Sequence, residues 1–405
     1  MAVFAYTAKT ADGKKVESVI RASDKGAAQA ELKKKNLSVS SLTEQKGGKK
    51  TSLFGPPRPH VKTKDIAVLT RQLSTMISAG IPLLESMEIL HEQVSDPGFK
   101  LALDKIIERV RAGSDFSTAL GEHPKLFTKI YVNMIKAGEA SGQLDVILQR
   151  LADYMEAAEE LKREIKAAMT YPVISLFLIL SITIGLVVGI VPKFQMIFQS
   201  MEMKELPLPT EILLKISDAL REQYLVVISV TIVLIIAFIM YIRTKFGMRQ
   251  WHWFMLHAPV FGPLFRKVAI SRFSRTFATL IQSGVPMLGA LDIVAATAGN
   301  LLVEEAVLKA KDAVSKGETL GDPLTATRVF PPMVTRMISI GEKTGALEKL
   351  LMKIAEFYDQ EVRATVKALT SLIEPLLIAT MGFIVGFIVL SIFLPIIKIQ
   401  QNLAK

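Results

Sequence analysis

"LTRQLSTMISAGIPLLESMEIL" at residues 69–90 returns as "FSRTFATLIQSGVPMLGALDIV" at residues 273–294. Arg71, Thr75, Gly80, Pro82, Leu84 and Ile89 reappear 204 positions later as Arg275, Thr279, Gly284, Pro286, Leu288 and Ile293. Further on, Phe127, Gly138, Glu139, Gly142, Leu144, Pro172 and Pro192 reappear at a spacing of 203 as Phe330, Gly341, Glu342, Gly345, Leu347, Pro375 and Pro395. Matches held at a spacing of 204 and then, one deletion later, 203 across residues 69–192 indicate an internal duplication. Apolar residues within each copy keep helical spacing: Leu144, Ile147, Leu148, Leu151 and Met155, then Leu347, Leu350, Leu351, Ile354 and Tyr358. Turn signals at Gly80-Ile81-Pro82, Pro97-Gly98, Gly113 and Gly121 divide the first copy into several amphipathic helices. Each copy therefore reads as a helical bundle whose last helix runs on into an apolar segment.

Three segments, Tyr171–Pro192, Tyr224–Ile242 and Pro375–Ile397, contain no Asp, Glu, Lys, Arg or His. Each has about the 20 residues that a helix needs to cross hydrocarbon. The first and third end the two copies, and the second has no counterpart. An odd number follows from the duplication: two copies that each leave on the same side require one return crossing. Seven basic residues and no acid lie between Arg243 and Arg275, whereas residues 193–223 carry four basic and five acidic groups. The positive-inside rule then places the N-terminus and residues 243–374 in the cytoplasm, and residues 193–223 and the tail after Ile397 outside. Spans free of ionisable groups argue against a transporter or pump. A connection as short as 193–223 leaves no room for a receptor domain, and no acids, histidines or serines cluster as a membrane enzyme would need.

The 405 residues are 50% hydrophobic and carry a net charge of +11; the mean hydropathy is +0.36. Residues 1–64 hold +9 of that charge, and the remaining 341 only +2. A basic front end beside a bilayer suits a cytoplasmic face and anionic lipid or acidic partners; without interleaved aromatics it does not suggest nucleic acid. There is no cysteine, and His60, His91, His123, His252 and His257 are not spaced as metal ligands. No cofactor and no metal are expected. The start, "MAVFAYTAKTADGKK", lacks the apolar run of a cleaved signal peptide.

"SIGEKTGALEKLL", Ser339–Leu351, has the look of a phosphate-binding loop. Such a loop needs Gly-Lys-Ser/Thr in succession and a further Gly five positions earlier. Glu342 instead separates Gly341 from Lys343, position 336 is Arg, and the first copy, "KAGEASGQLDVIL", has Ala140 in place of the lysine. What the copies share is Gly-Glu, then Ser141 or Thr344, then Gly. This reads as a corner between two helices, with the glycine ending one and the hydroxyl residue capping the next.

The front end differs. "VFAYTAK" and "VESVIRA" flank the turn signal Asp12-Gly13, a capped helix is expected from Ser23, and "LSVSSLTE" reads as another strand. The expected organisation is a small ββαβ-like module over 1–45, a Gly/Pro/Lys-rich linker over 46–62, and a bundle over 63–170. A span over 171–192, a connection over 193–223 and a span over 224–242 follow. The second bundle covers 243–374, the third span 375–397 and a short tail 398–405. The fold class is mainly α: a polytopic membrane protein with two repeated bundles, three transmembrane helices and a small α+β module.

Together, "VFAYTAKTADGKKVE", "LTRQLSTMISAGIPLLESMEIL", "IKAGEASGQLDVILQRLADY", "ISIGEKTGALEKLLMKIAEFYDQEV" and "LTSLIEPLLIATMGFIVGFIVLSIFLPIIKIQQ" resemble one family. It is that of the polytopic inner-membrane platform proteins of type IV pilus assembly and of the related type II secretion system, the F-protein family. The resemblance covers essentially the whole chain and is closer to the pilus branch. It implies six helices in each bundle, homo-oligomers in the bacterial cytoplasmic membrane, and no catalytic residues. The implied partners are a hexameric cytoplasmic assembly ATPase (with a retraction ATPase where the fibre retracts), pilin or pseudopilin transmembrane helices, and other inner-membrane assembly proteins.

Several residues admit two readings. Gly138, Glu139 and Gly142 with Gly341, Glu342 and Gly345 either form the repeated corner or meet a partner. Arg266, Lys267 and Arg272 in the acid-free run either dock an acidic partner or only enforce topology. Glu374, just before Pro375, breaks the symmetry of the copies and is either a functional acid at the membrane rim or a solvated boundary residue. Gly185/Gly189 and Gly382/Gly386 either permit close helix contacts, between copies or between subunits, or reflect the frequency of glycine in spanning helices.

Overall fold

The computed structural model describes residues 2–9, 15–22, 26, 38–45, 61–200 and 206–403, the first strands by their backbone. Strands β1 (Ala2–Lys9), β2 (Lys15–Ala22) and β3 (Ser38–Gln45) form an antiparallel sheet in the order β2-β1-β3. Lys9 pairs with Lys15 in the β1–β2 hairpin, and the β1–β3 register shifts between Thr7 and Ala8. The Asp12-Gly13 turn, the helix expected from Ser23 and the linker up to residue 60 lie outside the described residues.

Two sets of six helices follow, in matching order. The first is α1 (Thr63–Ser78), α2 (Leu83–Gln93), α3 (Pro97–Arg111), α4 (Phe116–Gly121), α5 (Lys129–Ser141) and α6 (Leu144–Gly189). The intervening segment holds α7 (Val191–Ser200), α8 (Leu208–Glu222), α9 (Tyr224–Arg243) and α10 (Lys245–His257). The second set is α11 (Gly262–Gln282), α12 (Met287–Thr297), α13 (Leu301–Ser315), α14 (Gly321–Ala326), α15 (Pro332–Thr344) and α16 (Leu347–Leu403). The equivalent turn glycines Gly80 and Gly284 both have positive φ, 84° and 80°, which is why the duplication retains glycine there. In each set the first helix packs on the last. Ile66, Leu69, Thr70 and Leu73 make the buried stripe of α1. In α11 the counterparts include Phe273 and Phe277, which are fully buried. Each such side chain contributes roughly 1.5–3 kcal/mol when removed from water.

Bundle and span share a helix. α6 has 46 residues and α16 has 57, so they are about 69 and 85 Å long at 1.5 Å per residue. Both exceed the ~30 Å of a bilayer's hydrocarbon core. With α9 they are the three described helices long and apolar enough to cross a membrane. The two long helices lie alongside each other and run parallel. Near the bundles, Leu161, Ile165 and Ala168 pack with Val362, Val366 and Leu369. At the far end, Leu186, Val187 and Val191 pack with Ile384, Ile388 and Ile392.

Two boundaries differ from the sequence expectation. The segment expected to span 171–192 breaks at Ile190, between α6 and α7, whereas α16 continues through the equivalent Pro395 to Leu403. Proline lacks an N–H and crowds the carbonyl four residues back, and in the first copy the weak helix former Gly189 gives way to that strain. The second copy has Ile392 there and holds its helix. The freed carbonyl needs a donor, and α8 supplies it: the buried Thr210 hydroxyl donates to the Ser391 carbonyl, four residues before Pro395, at 2.5 Å. Ser217 donates at 2.8 Å to the Val187 carbonyl, in the last turn of α6, where carbonyls lack intrahelical partners. The 193–223 connection is thus mostly helical, and α8 is bonded to the last turn of α6 and to α16 at Ser391.

Thr210→Val keeps the shape and removes the donor, leaving a buried carbonyl unpaired at a cost of about 1–3 kcal/mol. The expected result is a lower unfolding temperature of the detergent-solubilised chain and faster proteolysis between α7 and α8. Thr231→Val, which removes only a bond to Val227 within the exposed α9, is the control. Equal behaviour of the two variants contradicts the clamp.

Candidate functional site

The repeated Gly-Glu motif is a three-way joint. α5 and α15 end at Ser141 and Thr344, and the next residues, Gly142 and Gly345, take left-handed φ values of 67° and 70°. The Gln143 N–H then returns to the Gly138 carbonyl at 3.0 Å, and the Ala346 N–H to that of Gly341 at 2.9 Å. A Cβ on Gly138 would lie 3.1 Å from Ile147, and one on Gly341 would lie 2.8 Å from Leu347 Cα, so a side chain at either position would push the sixth helix away. The Glu139 carboxylate accepts from the N–H groups of Phe116 (2.5 Å) and Ser117 (3.2 Å) at the start of α4. Glu342 accepts from the Leu320 N–H at 2.8 Å, at the start of α14. Both acids therefore cap the short fourth helix, whose first N–H groups have no partner of their own. One expectation is corrected: the hydroxyl residues do not cap the following helix. Ser141 donates back to the Gly138 carbonyl (3.3 Å) and Thr344 to that of Ile340 (2.8 Å), because each still belongs to the preceding helix. The motif closes a helix C-terminus, where carbonyls face outward, so it offers phosphate no cradle of N–H groups.

A second repeated element fastens the first helix to the sixth. Arg71 bonds both Asp153 and Glu156, with Nε to Glu156 Oε1 at 2.7 Å. These bonds, that to Glu156 foremost, raise the guanidinium pKa, and Arg71 lowers that of Glu156. In the second copy Arg275 pairs with Asp359, which also accepts from Ser271. The Arg275–Asp359 side chains are only 16% and 14% exposed, so removing one partner strands a buried charge. Sequence reading noted the two arginines and missed the acids. Their signal was the acid at equal place in "YMEAAEEL" and "FYDQEV", residues 156 and 359. Nearby, Tyr131 is buried with its hydroxyl 3.1 Å from Thr70 Oγ1, and burial pushes its pKa up to about 12.

The two copies meet along α6 and α16. Arg363 pairs with Glu160 at 3.3 Å and Glu164 at 2.8 Å. Glu160 is its own counterpart, 203 positions earlier. Tyr154 and Thr276 hydroxyls lie 3.2 Å apart, and Arg150 donates to the Gln282 carbonyl. A cleft of about 850 Å³ opens between the copies, lined in part by Tyr131, Tyr154, Ile165, Arg272, Arg275 and Asp359.

The three basic candidates separate in the structure. Lys267 is engaged internally, at 2.8 Å from both Glu361 and Thr365 Oγ1. Arg266 is half-buried and reaches the Arg328 carbonyl at 3.4 Å, while Arg272 is exposed at the cleft. Glu374 is exposed on α16. Gly185, Gly189, Gly382 and Gly386 meet nothing within 4 Å of a built Cβ. The copies therefore do not touch each other through these glycines; their contact runs through the larger apolar residues already named.

Residues 69–192 and 273–395 each match the family described as "Type II secretion system (T2SS), protein F", which are the bounds of the duplication. Residues 1–43 match "Type II secretion system protein F, N-terminal domain". A "Type IV pilus assembly protein PilC" of Myxococcus xanthus is 41% identical over 402 residues, 98% of this chain and 95% of that protein. One of Thermus thermophilus is 42% identical over an aligned length of 410, covering all of both chains. A "Type II secretion system protein F" of Vibrio cholerae is 31% identical over an aligned length of 408, again covering all of both chains.

The joint predicts an order of damage. Gly341→Ala must displace Leu347 and should destabilise the chain by about 1–3 kcal/mol. Glu342→Ala loses a cap, about 0.5–2 kcal/mol. Lys349→Ala, at an exposed position in the first turn of α16, should be near neutral. Thermal unfolding in detergent reads all three, and an unaffected Gly341→Ala chain contradicts the joint.

Proposed function

Because the chain belongs to the type II secretion system protein F family, we propose that it is an inner-membrane platform for type IV pilus assembly, coupling a separate cytoplasmic ATPase to movement of pilin helices. The observation that carries this is the continuity of α6 and α16, each a single helix from its bundle into an apolar span. A load applied to a bundle reaches the bilayer without a hinge. Drawing an apolar helix of about 20 residues out of hydrocarbon, at roughly 0.3–0.6 kcal/mol for each large apolar residue, needs on the order of 10 kcal/mol. In this reading a separate motor supplies that free energy. The pilus branch is favoured over secretion by identity, 41–42% against 31%.

In this reading both bundles and the N-terminal module are cytoplasmic, α7, α8 and the tail lie outside, and the protein works as a homo-oligomer. The faces bearing Gly185/Gly189 and Gly382/Gly386 have open space beside them in the single chain and receive pilin or a neighbouring subunit. Arg272 is the basic candidate presented to the motor.

Arg272→Glu is expected to weaken co-purification of the assembly ATPase roughly tenfold, with unchanged unfolding temperature. Lys267→Glu instead places an acid against Glu361 and should lower the unfolding temperature. Normal docking and fibre assembly with Arg272→Glu removes Arg272 from the interface. ATP hydrolysis by the purified chain alone contradicts the platform reading.

A further inference from the structure

One residue, Thr244, separates the apolar α9 from α10, and the corner between them is tightly built. Thr244 Oγ1 accepts from the Gly247 N–H at 3.0 Å. A Cβ on Gly247 would lie 2.1 Å from the Tyr241 carbonyl oxygen, so the two helices close on each other where only glycine fits. The Tyr241 hydroxyl donates to Gln250 Oε1 at 2.5 Å, and Trp251 meets Phe238 of α9 edge-on, with ring centroids 5.4 Å apart. α10 is equally tied to the second bundle. His252 Nδ1 accepts from the Leu301 N–H at 2.9 Å, consistent with burial lowering the histidine's pKa, and Arg249 pairs with Glu305 at 3.3 Å.

The opposite face of α10 has no cover among the described residues. Phe246, Trp253, Phe254 and His257 follow one another at intervals that share a helix face. Phe246 is 69% exposed, and Trp253 and Phe254 are 54% exposed each. Val260 and Phe261 extend the apolar surface beyond the helix. No acid occurs from Gln223 to Leu291, and Arg243 and Lys245 stand where the span ends. A helix held at the end of a span, aromatic on one side and free of acids, matches the headgroup layer, where Trp rings and basic side chains are favoured.

We propose that α10 is an interfacial helix whose Phe246–Trp253–Phe254 face lies in the headgroup layer of the bilayer that α9 crosses, with Arg243 and Lys245 on the phosphates of anionic phospholipids. Its bonds to α9 and α13 then set the height of the second bundle above the membrane. This inference rests on α9 crossing a bilayer and not on the platform role.

The only two tryptophans, Trp251 and Trp253, both lie on α10, so Trp251→Phe leaves one reporter. The full-length variant is reconstituted in vesicles of phosphatidylcholine with phosphatidylglycerol, either lipid being brominated high on its chains. Trp253 emission is expected to fall about twofold with brominated lipid and to resist aqueous iodide, with brominated phosphatidylglycerol the stronger quencher at equal fraction. Arg243→Gln with Lys245→Gln should abolish that preference. Quenching by iodide and not by lipid overturns the proposal, as does protection from both, which would mean a protein partner covers the face. Equal quenching by the two lipids overturns the anionic assignment. Because Trp251→Phe disturbs the contact with Phe238, Phe246→Cys carrying a nitroxide in this cysteine-free chain provides a second reading. Its collisions with oxygen should exceed those with an aqueous nickel chelate, and the reverse order also overturns the proposal.

Discussion

When a duplicated helix packs in parallel on its own copy, equal positions meet, and identical charges would then face each other. Here the copies have diverged where they touch. Glu160 of α6 faces its counterpart Arg363, and Arg363 also holds Glu164, whose own counterpart is Lys367. These pairs are about half exposed and add little energy each, at most about 1 kcal/mol. The apolar seam of Leu161, Ile165, Val362, Val366 and Leu369 supplies most of the attraction. The charges act on register and partner choice, because the alternative pairing of like copies would set acid against acid.

From that seam the other features follow. Each bundle must be fixed to its long helix, and the buried Arg275–Asp359 pair and its first-copy equivalent do so from the first helix. The Gly-Glu joint fixes the fourth and fifth helices to the start of the sixth. At the far end α8 bonds both long helices through carbonyls that a proline and a helix terminus leave free. The long pair is therefore held together near the bundles and again at the far side, where α8 bonds both helices.

Much of this was legible in the sequence because duplication offers each observation twice. Helical period, turn glycines and apolar segments recur in both copies, so the two bundles and their parallel sense could be read together, and the family matches the same bounds. What escaped depended on contacts distant in sequence or unmatched by a copy. Glu139 finds its partner N–H groups 22 and 23 residues away, which no local pattern encodes. Lys267 sits in an acid-free run yet pairs with Glu361, 94 residues on. α8 has no counterpart in the duplication, so nothing in the second copy disclosed which carbonyls its hydroxyls reach. The break at Ile190 turned on a glycine that the second copy lacks.

The central claim is that the two halves point the same way across the bilayer. Ala112 and Ser315 are exposed at the ends of the equivalent helices α3 and α13 in the two copies, and Lys215 is exposed on α8. With no native cysteine, Ala112→Cys, Ser315→Cys and Lys215→Cys can each be probed alone with a membrane-impermeant maleimide, in spheroplasts and in inverted vesicles. The expected result is labelling of the first two only in inverted vesicles and of the third only in spheroplasts. Labelling of Ala112→Cys and Ser315→Cys from opposite faces would contradict the account.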